Sequence, residues 1–171
     1  MEETVSTARV ALKYGALVSV VIMVYTTIIN VAGLSQNKIL SSLQFIFMIV
    51  ALVVAMKEFK EKNKGFMSYG EGLGLGTLLS AVMGFLVSMF NTFYNKFIDS
   101  TIMTQALDKV RMDMEQRGMD DAQIDQSLEY AQKFMSPGIM FIMGVLMSIL
   151  TGFIVSLVVS AVIRREKPVF E

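Results

Sequence analysis

Cysteine and histidine are both missing from this chain of 171 residues. The first absence excludes disulfides, thiolate metal sites and thiol nucleophiles. The second removes the commonest transition-metal ligand and the usual general base near neutral pH. Net charge is missing as well: 15 basic and 15 acidic residues cancel, so no global field draws the chain to nucleic acid. These gaps restrict the chemistry more than any motif present, and the expectation is a non-enzyme without cofactor or metal. Apolar mass is what the chain has. Some 54% of it is hydrophobic and the mean hydropathy is +0.57, above what a soluble domain of this length carries. The 15 methionines fit adaptable packing rather than soft-metal binding, since no ladder of them has polar escorts.

Four apolar stretches are long enough to span a bilayer, at residues 14–34, 39–56, 70–95 and 137–163, uncharged apart from Glu71 at the edge of the third. Crossing the hydrocarbon takes about 20 residues, or about 17 at the short end. The runs are continuous rather than alternating, which selects helices over barrel strands. Arg9 and Lys13 precede an apolar run longer than the core of a signal peptide, so it reads as a first span.

Charge placement gives the orientation. Arg9 and Lys13, then Lys57, Lys60, Lys62 and Lys64, then Arg164, Arg165 and Lys167 all fall on one side of a four-span chain. The positive-inside rule puts that side, with both termini, in the cytoplasm. Lys57, Lys60, Lys62, Lys64, Arg164 and Arg165 are also candidate contacts for anionic lipid head groups. Tyr14, Phe59, Phe66 and Tyr69 are expected at the inner interface, and Phe93, Tyr94, Phe97 and Phe134 at the outer one.

The stretch 99–135 carries its own pattern. Met103, Leu107, Val110 and Met114 recur at helical spacing, Gly118 supplies a stop, and Asp120 with Gln123 forms a capping box. A second stripe follows with Ile124 and Leu128, until Ser136-Pro137-Gly138 breaks it. This predicts two short helices folded as a hairpin on the outer side, their stripes facing each other or the membrane surface. The six residues Met103, Leu107, Val110, Met114, Ile124 and Leu128 are candidates for docking a partner.

The sharpest signal is a pair of small-residue stripes. One consists of Gly72, Gly76, Ser80, Gly84 and Ser88, the other of Gly144, Ser148, Gly152, Ser156 and Ser160. Small residues at every fourth position form a groove that lets a second backbone approach closely in lipid. Counting from the span centres sets Ser80 near Gly152 and Gly84 near Ser148. Contact within one molecule is the expectation, and a homodimer through one of the grooves is the alternative. Glu71 stands at the edge of a span, where a carboxylate is a functional candidate; Ser68 three residues before it also makes a capping box. Asn30, Gln44, Asn91 and Asn95 add amides near the outer span ends and, with Glu71, form a candidate polar site. The glycines of Gly70–Gly76 lack the Lys-Ser/Thr of a phosphate loop, and the acidic residues from Asp113 onward put Ile124 where a calcium loop needs a bidentate Glu.

Residues Phe66-Met-Ser-Tyr-Gly-Glu-Gly-Leu-Gly-Leu-Gly76, then Phe93-Tyr-Asn-Lys-Phe-Ile-Asp99, then the Gly/Ser-rich final span ending in Arg164-Arg165, carry a family likeness. The pattern resembles the bacterial membrane family known as domain of unknown function 4199. Ser100 stands where many relatives are expected to have proline. The resemblance implies a small inner-membrane protein of four spans without assigned catalytic residues. It also implies a setting beside a membrane-bound glycosyltransferase of the polyprenyl-phosphate type. The expected architecture is thus an all-α membrane protein, a four-transmembrane-helix bundle with an extracytoplasmic two-helix hairpin between helices 3 and 4. The expected function is that of a non-catalytic accessory or scaffold subunit of an inner-membrane complex, with an oligomeric channel or small-solute carrier as the alternative. Its partners are then membrane lipids and another membrane protein or a second copy.

Overall fold

The computed structural model describes residues 6–167. Among them are six helices and no strand: α1 (Thr7–Val31), α2 (Lys38–Lys62), α3 (Tyr69–Phe97), α4 (Thr101–Gln116), α5 (Asp121–Phe134) and α6 (Pro137–Ile163). Helices α1, α2, α3 and α6 are each long and apolar enough to cross a membrane. At 1.5 Å per residue their 25 to 29 residues exceed a hydrocarbon core of about 30 Å. The helices outrun the apolar stretches: α1 begins at Thr7 rather than residue 14, and α2 continues to Lys62 rather than ending at 56. An apolar run marks what lipid covers, whereas helix ends are set by caps. Ser6 accepts from the Arg9 amide at the start of α1, and Asn37 accepts from Ile39 and Leu40 at the start of α2. Past Met56, good helix formers and the Glu58–Lys62 pair carry α2 on.

The chain divides into two compact units, one holding the residues up to Val87 with those from Val145 onward, the other Ser88–Gly144. In the first, Val18 and Ile22 of α1, Leu52 and Met56 of α2, and Leu75 and Leu79 of α3 make one buried core. Gly15 lets α1 close on α3, since a Cβ there would stand 2.9 Å from the Val82 Cβ and 3.0 Å from the Leu79 carbonyl. Hydroxyls inside these apolar helices find local acceptors: Ser19 donates to the Gly15 carbonyl at 2.6 Å and Thr77 to that of Leu73 at 2.8 Å. The end of α6 is tied down. Met67 and Arg165 exchange backbone hydrogen bonds of 2.8 and 2.9 Å, and Lys60 Nζ donates at 2.7 Å to the Ile163 carbonyl at the end of α6.

In the second unit α4 and α5 pack on each other through a turn at Gly118, whose φ of +74° lies in the left-handed region that glycine adopts without steric cost. Asp120 then caps α5 by accepting from the Gln123 amide at 2.8 Å. Ile124 is fully buried and Arg111 reaches Asp125 at 3.2 Å. The apolar stripes are thereby largely consumed inside this unit. Ile124, a docking candidate by sequence, is not presented outward, and Met103, Leu107, Val110, Met114 and Leu128 are half-buried. Phe59 and Tyr94, expected at the inner and outer interfaces, are both enclosed by protein. Each is buried within its own unit, which removes its ring from the surroundings.

Candidate functional site

The stripes on α3 and α6 meet as alternating rungs. In the first unit a Cβ on Gly72 would overlap the Ser160 side chain, one on Gly76 the Ser156 side chain, and one on Gly152 the Ser80 side chain. A Cβ on Gly84 would stand 2.5 Å from the Ser148 Cβ. In the second unit Gly144 meets Ser88 in the same way. Position numbers fall by four on one helix as they rise by four on the other, as antiparallel neighbours require. Every rung sets a serine against a glycine, and never two of a kind. Only hydrogen fits at the glycine, and only a small side chain at the serine.

Two of these serines also bind across the seam. Ser148 Oγ donates to the Ser80 carbonyl at 3.0 Å, and Ser160 Oγ donates to the Tyr69 carbonyl at 2.8 Å. The hydroxyls of Ser80 and Ser156 are buried without a hydrogen-bond partner among the described residues. They are pressed against the facing glycines, where the available contact is a weak C–H···O one. The seam is thus built from close contact and shape, with two hydroxyl–carbonyl bonds across it.

A second feature joins α1 to α2. Glu58 lies past the apolar run that ends at Met56, and its carboxylate accepts from Lys13 Nζ at 2.9 Å, from Lys62 Nζ at 2.7 Å and from the Tyr14 hydroxyl. The hydrogen bonds from Lys62, Tyr14 and Lys13 hold its pKa down, to about 2. This clasp was not read from the sequence, because Lys13 and Glu58 are 45 positions apart. It also changes the reading of the cations. Lys62 is held by Glu58, Lys60 caps α6, Arg164 lies 3.8 Å from Glu166, and Arg165 stacks 5.6 Å over Phe66. Lys57 and Lys60 line one shallow hollow together with Arg165.

Of the five candidate polar residues, Glu71, Asn30 and Gln44 belong to the first unit and Asn91 and Asn95 to the second. Glu71 closes its capping box, accepting from Ser68 N at 2.7 Å and from Ser68 Oγ at 2.9 Å. It lines a hollow of about 410 Å³ with Asn63, Arg165 and Lys167. Asn30 and Gln44 are half-buried on α1 and α2. Asn91 and Asn95, one turn apart on α3, do share a site. They line a cavity of about 420 Å³ that lies wholly within the second unit. The end of α3 supplies Ser88, Asn91, Thr92, Asn95 and Lys96; Ser100 and Met103 come from the start of α4; Gln132, Met135, Ser136, Pro137 and Met140 come from the end of α5 and the start of α6. Lys96 is the only formally charged residue in this wall. Lys96 and Gln132 escaped notice as site residues: one stood in an aromatic cluster read as an interface marker, the other on a helix face with no pattern. No group of three His, Cys, Asp or Glu among the described residues is placed to hold a metal ion.

Comparison with known proteins gives the family and leaves the chemistry open. The family described as "Protein of unknown function (DUF4199)" matches residues 13–165. The chain belongs to this family. No curated protein and no solved structure matches it. The matched region takes in α2 to α6 entire and most of α1, so both stripes and the whole cavity lie inside it.

Proposed function

We propose that the chain is a non-catalytic accessory or scaffold subunit of a bacterial inner-membrane complex. In this reading α1, α2, α3 and α6 form a four-helix bundle with both termini in the cytoplasm, and α4–α5 form an extracytoplasmic hairpin. The observation that carries it is the two-sidedness of α6. One face is locked to α3 by serine and glycine. On the other side Leu146, Leu150, Ile154, Val158 and Val162 repeat at every fourth position, each more than half exposed. A helix whose backbone is immobilised on one side is a firm ridge on the other, suited to packing against a transmembrane helix of a partner. The cation placement supports the proposed orientation. The family resemblance adds a candidate class of partner, a membrane-bound glycosyltransferase acting on polyprenyl phosphate.

Purification of the native protein in mild detergent tests the reading. A second, unrelated membrane protein is expected at fixed stoichiometry, and replacement of Ile154 and Val158 by Trp is expected to release it while the purified chain keeps its helical content. A lone homo-oligomer, unchanged by those replacements, overturns the subunit reading in favour of a channel or carrier.

A further inference from the structure

We infer that the cavity of the second unit binds the phosphate head group of a membrane lipid. Its volume of about 420 Å³ falls within the range of about 300–1,000 Å³ usual for small-molecule sites. Its wall is of two kinds. Met103, Met135 and Met140 give a flexible apolar surface that accommodates hydrocarbon of variable shape. Asn91, Asn95, Gln132 and Ser100 give amide and hydroxyl donors, and Lys96 gives the sole charge, which is positive. Asn91 and Asn95 are half-buried, and no described residue hydrogen-bonds their side-chain amides. Ser100 stands exposed at the start of α4, and its side chain makes no capping hydrogen bond. The two amides, partly withdrawn from water and left unengaged, favour a ligand that satisfies them.

The position of the cavity on its helices selects a lipid over a water-borne solute. It is walled by the last turns of one apolar helix, α3, and the first turn of another, α6, where runs long enough to cross a bilayer come to their ends. Phe93 and Phe97, on the same turns of α3, are exposed as aromatic side chains are at the head-group level. A phosphate there takes an ion-paired hydrogen bond from Lys96 and charge-assisted ones from the neutral amide donors, while its acyl chains run along the methionines. The four helix ends at the cavity do not bias it, because two are N-termini and two are C-termini and their dipoles oppose. Asp99 is the nearest acidic residue in sequence and is occupied at the start of α4, accepting from the Thr101 amide at 3.0 Å.

Native mass spectrometry of the full chain in detergent tests this, with three probes: dihexanoyl phosphatidic acid, dihexanoylglycerol and inorganic phosphate. The lipid phosphate is expected to give a one-to-one adduct, and the other two none. Lys96→Ala and Asn95→Leu are each expected to weaken the adduct about tenfold, the scale of a lost charge-assisted hydrogen bond. Lys96→Arg is expected to keep it, and the charge-matched control Lys38→Ala to leave it unchanged. Circular dichroism confirms that each variant is folded. The proposal is overturned if dihexanoylglycerol binds as well as the phosphatidic acid, if inorganic phosphate binds as tightly, or if the adduct survives Lys96→Ala and Asn95→Leu in folded protein.

Discussion

The α3–α6 seam and the α4–α5 pair achieve close helix contact by opposite means. Along the seam almost no side chain lies between the backbones, and the contact is glycine against serine. Between α4 and α5 the centre is a large apolar side chain, Ile124, with the Arg111–Asp125 ion pair at the edge. The difference follows from the surroundings each sequence is written for. In lipid, burying a leucine gains little over leaving it among acyl chains, so contact comes from shape and short distance. A helix with charges on most turns meets water, and there removal of apolar surface is the driving term. Side-chain volume is thus damaging in the one interface and indispensable in the other.

Replacements that add or remove volume sharpen this contrast. The largest effect is expected for Ile124→Ala, which empties a fully buried site and costs about 3 kcal/mol. Limited proteolysis at the Arg117–Asp120 turn is expected to speed up, while the detergent-resistant fragments containing the seam persist. Equal protection of the turn in the variant contradicts a pairing held by this side chain. Next comes Gly76→Ala, whose added Cβ collides with Ser156 and also meets Leu52 Cδ2 at 3.1 Å; about 2 kcal/mol is expected from overpacking. Gly74→Ala, two residues away, adds its Cβ to open space and is expected to be neutral or slightly stabilising. Thermal unfolding in mild detergent separates the two, and equal melting temperatures would remove the steric argument.

The smallest effect concerns Glu58, which belongs to neither interface. Its folded pKa of about 2 lies below the ordinary 4.5, so its clasp stabilises the fold above about pH 4.5. That contribution is lost as pH falls through 4.5 toward 2. Glu58→Gln is expected to melt lower than the parent at neutral pH, and the gap is expected to close in that acid window. A gap that stays constant from pH 6 to pH 2 means the carboxylate does not act through its charge.

Long-period patterns made much of the fold legible. Continuous apolar runs gave four spanning helices, and the amphipathic stripes with Gly118 and Asp120 gave α4 and α5, because each pattern repeats over several turns and needs no distant partner. The fourfold stripes pointed to the seam, and the span centres set Ser80 beside Gly152 and Gly84 beside Ser148. The finer rule was also present and went unread. Gly72, Gly76, Ser80, Gly84 and Ser88, laid against Ser160, Ser156, Gly152, Ser148 and Gly144, are complementary at every rung. Contacts between remote singletons could not be read in the same way. Lys13 with Glu58, Lys60 with the Ile163 carbonyl, and Gln132 in one wall with Asn91 have no periodic signature, and only the tertiary arrangement brings them together. For the same reason Asn30, Gln44 and Glu71 looked equivalent to Asn91 and Asn95, although the cavity takes only the last two.

The rung swap tests the central claim most directly. Gly152→Ser alone sets two serines face to face and is expected to lose about 2 kcal/mol of stability in detergent, for the lack of space beside Ser80. Adding Ser80→Gly restores the serine–glycine rung in reverse, and the double variant is expected to regain most of the loss, a coupling that only residues in contact show. A double variant no more stable than Gly152→Ser alone would contradict the account of how α3 and α6 hold together.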